Sequence, residues 1–214
     1  MGGYEHVKSK GILFVIGSLS VGGTEIQLCR LASSLCKKGW KVEICLLTPY
    51  AEATKQFLIN DVKVHFLPKF LHENFLYRRL FLIRIFVLLM YSFMILRILL
   101  KGRHYCVHTF LPHAYVVGGF ISLICKVPVK IMSRRSLNHY KTKHKVLFRL
   151  EQLLHNRMDY VLGNSKAVLN DLKKEGVADN KIKLIYNSIN MSRLKLQSGW
   201  SKDKFRKKLK ISNK

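Results

Sequence analysis

Residues 14–35, FVIGSLSVGGTEIQLCRLASSL, decide how the chain is read. An apolar, β-rich run enters a loop that holds Gly17, Gly22 and Gly23. The loop opens into a segment with Ile26, Leu28, Leu31, Ala32 and Leu35 at helical spacing. A strand, a glycine loop and a helix start can together hold a phosphate on backbone N–H groups. The spacing fits neither G-x-G-x-x-G nor a G-K-[ST] loop, so neither nucleotide fingerprint is met.

Outward from this unit the same punctuation repeats. Gly39 stands where the residue after a helix belongs, closing a helix expected over 24–38, and KVEICLL is the next strand. A short helix over 51–58 and the strand VKVHFL follow, then a long hydrophobic and basic segment. The strand YCVHTF leads into a helix from Pro112 to near Lys126. VKIMS precedes a helix over 140–156, YVLGNS precedes a helix that closes at Gly176, and KIKLIYN comes last. Alternation of this kind predicts an α/β fold, a doubly wound, mostly parallel sheet of about seven strands with helices on both faces.

Composition narrows the partners. Of 214 residues, 49% are hydrophobic, enough for a sizeable core. Against 12 Asp and Glu stand 38 Lys and Arg, a formal charge of +26, which points to a polyanion. Mean hydropathy is slightly positive (+0.06), and no helix-turn-helix, finger or RNA-binding aromatic motif is visible. An anionic membrane surface is therefore expected rather than nucleic acid. The cysteines Cys29, Cys36, Cys45, Cys106 and Cys125 form no C-x-x-C pair and no zinc spacing. They read as reduced, structural thiols of a cytoplasmic chain with no metal site. The opening MGGYEHVKSK does not read as a signal peptide, and His6 stands where a myristoylation signal needs Ser or Thr.

In doubly wound sheets, ligands bind beyond the carboxyl ends of the strands. After the first strand come Gly22, Gly23, Thr24 and Glu25; the fourth brings His108 and His113. The fifth gives Ser133, Arg134 and Arg135, and the sixth Asn164 and Ser165. Such a rim suits a phosphorylated, hydroxyl-bearing ligand. His113 follows Pro112 at a helix start, where the dipole disfavours protonation and leaves an imidazole able to orient a hydroxyl or take its proton. His108 is either a second catalytic group or a satisfied core histidine. Arg134 and Arg135 point to opposite sides, so at most one aims into a cleft. Glu25 either meets a ligand or stabilises its helix, and Asn164 and Ser165 either meet a ligand or cap theirs.

The segment NFLYRRLFLIRIFVLLMYSFMILRILLKGR invites a membrane reading. Its almost wholly apolar stretch, 85–96, rises only about 18 Å, short of the ~30 Å hydrocarbon core. Arg78, Arg79, Arg84, Arg97, Lys101 and Arg103 surround it. That arrangement predicts a helix lying in an anionic interface, at the inner face of the cytoplasmic membrane. The alternative is a helix packed on the sheet.

FVIGSLSVGGTE, the strand-end histidine of YCVHTFLPHA, MSRRSL, YVLGNSKAV and KIKLIYNSIN together resemble the glycosyltransferase family 4-like N-terminal domain over about 12–190. The resemblance implies a GT-B architecture, two Rossmann-like domains facing a cleft. Residues 1–190 would be the acceptor domain. Residues 191–214, with the basic run SKDKFRKKLKISNK, would be the linker and helix leading to a donor domain outside this chain. It further implies retaining transfer of a hexosyl unit from a UDP- or GDP-sugar, with no other cofactor. The acceptor would be a lipid-linked or cell-envelope glycan precursor of lipopolysaccharide or polysaccharide synthesis. Activity would need a donor-binding half, in a longer chain or a separate subunit. Two positions depart from the pattern: Cys106 replaces an aspartate before the strand-four histidine, and NSIN replaces N-G-[IV]-D. The competing reading is a non-enzymatic basic module that binds an anionic membrane or a glycan.

Overall fold

The computed structural model describes residues 11–19, 22–48, 62–67, 81–137, 144–189 and 201–210. Its centre is β1 (Gly11–Ile16), buried at every position. Leu13 and Val15 face one core cluster while Ile12, Phe14 and Ile16 face another. A strand covered on both faces must be apolar throughout, which is why GILFVI has no polar alternation.

The remaining strands are β2 (Lys41–Leu46), β3 (Lys63–His65), β4 (Cys106–Phe110), β5 (Val129–Arg134), β6 (Tyr160–Gly163) and β7 (Ile182–Leu184). They form one sheet in the order β3-β2-β1-β4-β5-β6-β7, and every pairing is parallel. The order reverses between β1 and β4, so the switch-point crevice opens where their carboxyl ends lie side by side. The doubly wound α/β reading holds.

Helix α1 (Gly23–Lys37) covers one face through Leu28 and Ala32, and Gly39 follows its end at φ 79°, in the left-handed region that glycine tolerates. On the other face lie α2 (Phe81–Gly102) and α3 (Pro112–Ile124). Helix α3 sits unusually close to the sheet. A Cβ on Gly118 would lie 2.7 Å from the Thr109 methyl and 3.3 Å from Val15 Cβ, so only glycine fits there. Helices α4 (Lys145–His155) and α5 (Lys166–Lys174) enclose a third cluster with Tyr115, Met132, Val161 and Ile182. A short basic helix, α6 (Lys202–Lys208), is capped by the Ser201 hydroxyl.

The helix expected at 51–58 lies outside the described residues, as do 138–143 at the head of the helix expected at 140–156. Arg78, Arg79 and the Arg84 side chain lie outside them too. Helix α2 is long and apolar enough to cross a membrane, with a mean hydropathy of 2.0 over Ile85–Gly102. One stripe of it is core: Val87, Tyr91, Ile95, Ile98 and Leu99 pack against Leu13, Val15 and Val107. The opposite stripe, Leu82, Phe86, Leu89, Phe93 and Leu100, is exposed. The packing alternative therefore holds for one stripe of the helix, and the other stripe is left uncovered among the described residues.

Candidate functional site

The switch point carries an unusual backbone. Leu111, immediately after β4, adopts φ 73° and ψ 151°, a region nearly reserved for glycine. Holding a leucine there costs about 1–3 kcal/mol. It turns the chain so that Pro112 begins α3 and His113 emerges in the first turn. Leu111 also reaches towards the β1 loop, where a Cβ on Gly17 would lie 3.6 Å from its Cδ1.

His113 is exposed and faces a cleft of about 660 Å³ between α2, α3 and the start of α4, with Leu88, Val116, Val117 and Leu147 among its walls. The walls strip part of the water from the ring, and this, with His144 nearby, holds its pKa below the usual histidine range. A neutral imidazole at the mouth of an apolar cleft can accept or orient a hydroxyl proton.

On the other side of the switch point, Arg135 leaves the end of β5. Its guanidinium lies 5.4 Å from the centre of the Phe110 ring and donates from Nη1 to Asn187 Oδ1 at 3.0 Å. Burial lowers its pKa, its buried Nε has no partner, and among the described residues no carboxylate pairs with it. With Gln27, Arg30, Tyr186 and Ser188 it lines a pocket of about 220 Å³. Among the described residues neither guanidinium has a carboxylate partner, so the pocket has the charge and the donors to cradle an anion. Gln27 fixes its far wall: Nε2 donates to the Ser188 carbonyl at 2.7 Å, while Oε1 accepts from the Ser188 N–H and hydroxyl, each at 2.9 Å. Arg30 Nη1 donates to the same carbonyl.

Between these places sit the glycines. Gly22 is the N-cap of α1, extended and without a side-chain cap, and the Glu25 carboxylate folds back over it. A Cβ on Gly23 would meet nothing within 4 Å, so packing does not require glycine there and the backbone is open to a ligand. Thr24 is half-buried beside it.

Several expected site residues face inward instead. His108 is 4% exposed and shares a 2.6 Å hydrogen bond between Nε2 and Ser133 Oγ. Its ring stacks on Phe110 at 4.3 Å. Ser133 is fully buried, and its carbonyl accepts from the Tyr115 hydroxyl. These two lie beneath the rim, and of the two readings of His108 the structure matches the satisfied core histidine in place of the catalytic group. Burial, with a smaller contribution from Arg135, pushes the His108 pKa down to about 3. Unfolding lets it take a proton near pH 6.5, so acid favours the unfolded chain between those values. Lowering the pH from 7.5 to 5.5 should remove on the order of 1 kcal/mol on this account, and His104 and His113 shift in the same direction. Urea midpoints at the two values check it: His108→Gln should flatten part of the dependence, and equal midpoints for the wild type would contradict it.

Arg134 is corrected as well. It points away from Arg135 into the protein, as strand alternation requires. Nη1 donates to both Glu175 oxygens at 2.7 Å and Nη2 donates to Glu151. Burial disfavours its charge, but the two carboxylates outweigh that and raise its pKa. Glu151, His155 and Glu175 bring ligand-type atoms within 4.8 Å of one another, yet the Arg134 guanidinium already supplies their positive charge. Asn164 donates to the Arg135 carbonyl at 3.1 Å, and Ser165 caps α5 by accepting from Val168 N at 3.3 Å. The capping reading is observed for Ser165 alone, Asn164 tying the end of β5 to that of β6 instead, and buried Glu25 stands in the first turn of α1.

The sequence model of Glycosyltransferase Family 4 matches residues 21–193. The chain belongs to glycosyltransferase family 4. No curated protein matches the sequence. Solved structures give the fold of this family 4 domain. HepE of Anabaena, solved with UDP, superposes with a TM-score of 0.68 at 18% identity, covering 94% of this chain and 50% of that one. A glycosyltransferase of Rickettsia africae gives 0.60 at 17%, over 97% and 51%. The lipopolysaccharide outer core galactosyltransferase WaaB gives 0.62 at 13%, over 84% and 46%. The family 4 chain thus spans about half the length of the structures it matches, as one Rossmann-like half of a GT-B fold does.

Proposed function

We propose that this chain is the acceptor-side half of a GT-B enzyme that transfers a hexosyl unit from a UDP- or GDP-sugar to a lipid-linked or envelope glycan precursor. One observation carries the reading: a neutral histidine, His113, stands at the carboxyl end of β4 before an apolar cleft of about 660 Å³. An acceptor hydroxyl would meet the imidazole while its apolar portion lies against Val116, Val117 and Leu147. Arg135 and Arg30 would hold the phosphate of the acceptor or of the donor. The acceptor oxygen then bonds to the anomeric carbon as the bond from that carbon to the nucleotide phosphate breaks. A donor-binding half must supply the groups that stabilise the departing nucleotide. HepE was solved with UDP-glucose and WaaB is named a lipopolysaccharide galactosyltransferase, both in keeping with such substrates.

The exposed stripe of α2 and the charge of +26 support attachment to the inner face of the cytoplasmic membrane. Exposed Arg97, Lys101 and Arg103 would meet anionic headgroups.

Arg135→Ala tests the phosphate contact. In a transfer assay with a donor-binding half present, it should raise the KM for the phosphate-bearing substrate about 10–100-fold, the worth of one or two charged hydrogen bonds. An unchanged KM for both substrates would remove Arg135 from the site.

A further inference from the structure

A second groove lies away from the switch point, along the β3 edge of the sheet. It has a volume of about 640 Å³. Helix α2 lines it from Phe86 to Gly102, a rise of ~24 Å, with Phe86, Met90, Phe93 and Met94 on its apolar wall. Phe86 and Phe93 also belong to the exposed stripe, at 57% and 60% exposure, so the groove opens sideways onto the face assigned to the membrane.

Its lower end is cationic. Lys41, Lys63, Arg97 and Lys101 stand around it. Among the described residues, Lys63, Arg97 and Lys101 have no carboxylate partner. The one acid there, Glu43, is 4% exposed and already satisfied by Lys41 Nζ at 2.9 Å and His65 Nε2 at 2.6 Å. Among the described residues an anion at this end therefore meets three cations without a carboxylate partner and no free carboxylate.

We infer that this groove binds one membrane lipid, its acyl chain along the α2 wall and its phosphate headgroup among Lys63, Arg97 and Lys101. The apolar wall from Phe86 to Met94 rises about 12 Å, enough for the headgroup-proximal part of an acyl chain, the opening faces the exposed stripe of α2, and the cations lie at the one end where a headgroup would. The inference rests on the membrane reading above for the source of the lipid. Its cationic end stands at the amino ends of β2 and β3, where Lys41 and Lys63 are the first residues, whereas His113 and Arg135 follow the carboxyl ends of β4 and β5, so the groove is separate from the acceptor cleft and the Arg135 cradle.

The full chain is titrated with 1-palmitoyl lysophosphatidic acid below its micelle concentration, with monopalmitoylglycerol as the phosphate-free comparison. One lysophosphatidic acid should bind per chain, at least tenfold tighter than the glyceride. Lys63→Glu/Arg97→Glu/Lys101→Glu, all at exposed positions, should weaken it at least tenfold with an unchanged thermal midpoint. No saturable binding, equal affinity for the two probes, or no effect of charge reversal would each overturn the site. Flotation on phosphatidylglycerol:phosphatidylcholine (3:7) vesicles separates the two readings. Leu82→Ser/Leu100→Ser, on the exposed stripe and outside the groove, should lose flotation and keep the lipid. Flotation without lysophosphatidic acid binding ends the groove proposal alone, and binding without flotation ends the membrane reading alone.

Discussion

Arg134→Met should lower the free energy of unfolding by about 3–5 kcal/mol. The guanidinium is 4% exposed and pairs with Glu151 and Glu175, whose side chains are 1% and 3% exposed. Removing it takes away the guanidinium that balances two adjacent buried carboxylates, with His155 Nε2 remaining at 3.5 Å from Glu151 and 4.0 Å from Glu175. A buried pair adds little over an apolar replacement, but a broken one leaves a charge that water cannot reach. The clamp joins β5, α4 and the end of α5, so its loss loosens the elements below the Arg135 rim. Urea unfolding checks the size of the effect. A loss below 1 kcal/mol would mean that water or a rearranged side chain reaches the carboxylates.

His113→Ala should reduce sugar transfer about 10²–10⁴-fold, the usual contribution of a positioned acid–base group. The loss should fall on kcat, because the imidazole meets the hydroxyl whose proton moves, while the apolar walls that bind the rest of the acceptor stay in place. The pH profile gives a second reading. The His113 pKa lies below the ordinary histidine range, so the wild-type rate should remain high below pH 6.5 and fall only when the ring protonates. Full activity in the alanine variant would remove the catalytic role. A rise in KM alone would make His113 a binding residue.

The fold was legible because its signals are local. Apolar runs such as GILFVI, covered on both faces, and glycines at the ends of two helices, Gly39 and Gly176, mark boundaries without reference to distant residues. The rim was legible in outline, since strand ends fix which residues reach it. Its inner and outer members were not. A run of two arginines shows that one points inward, but Glu151 and Glu175, which select Arg134, lie 17 and 41 residues away. The anion cradle was missed for the same reason, as Gln27 and Arg30 meet Ser188 across 161 and 158 residues. Their spacing on one face of α1 was the available signal, and it reads equally well as a solvated helix side. Leu111 carried no signal at all, because leucine is a poor choice for its φ and only the assembled β4–α3 corner imposes it. Helix α2 misled in another way: with apolar residues on every side, its sequence could not say which stripe meets the core.

The central claim is that this domain supplies the acceptor side of a sugar transfer. Its most direct test is the transfer of label from UDP- and GDP-hexoses to an organic-extractable product, using a donor-binding half assayed with and without this chain. The account predicts product only when both are present, and its loss with His113→Ala. Product from the donor-binding half alone, or equal product with the His113 variant, would contradict it.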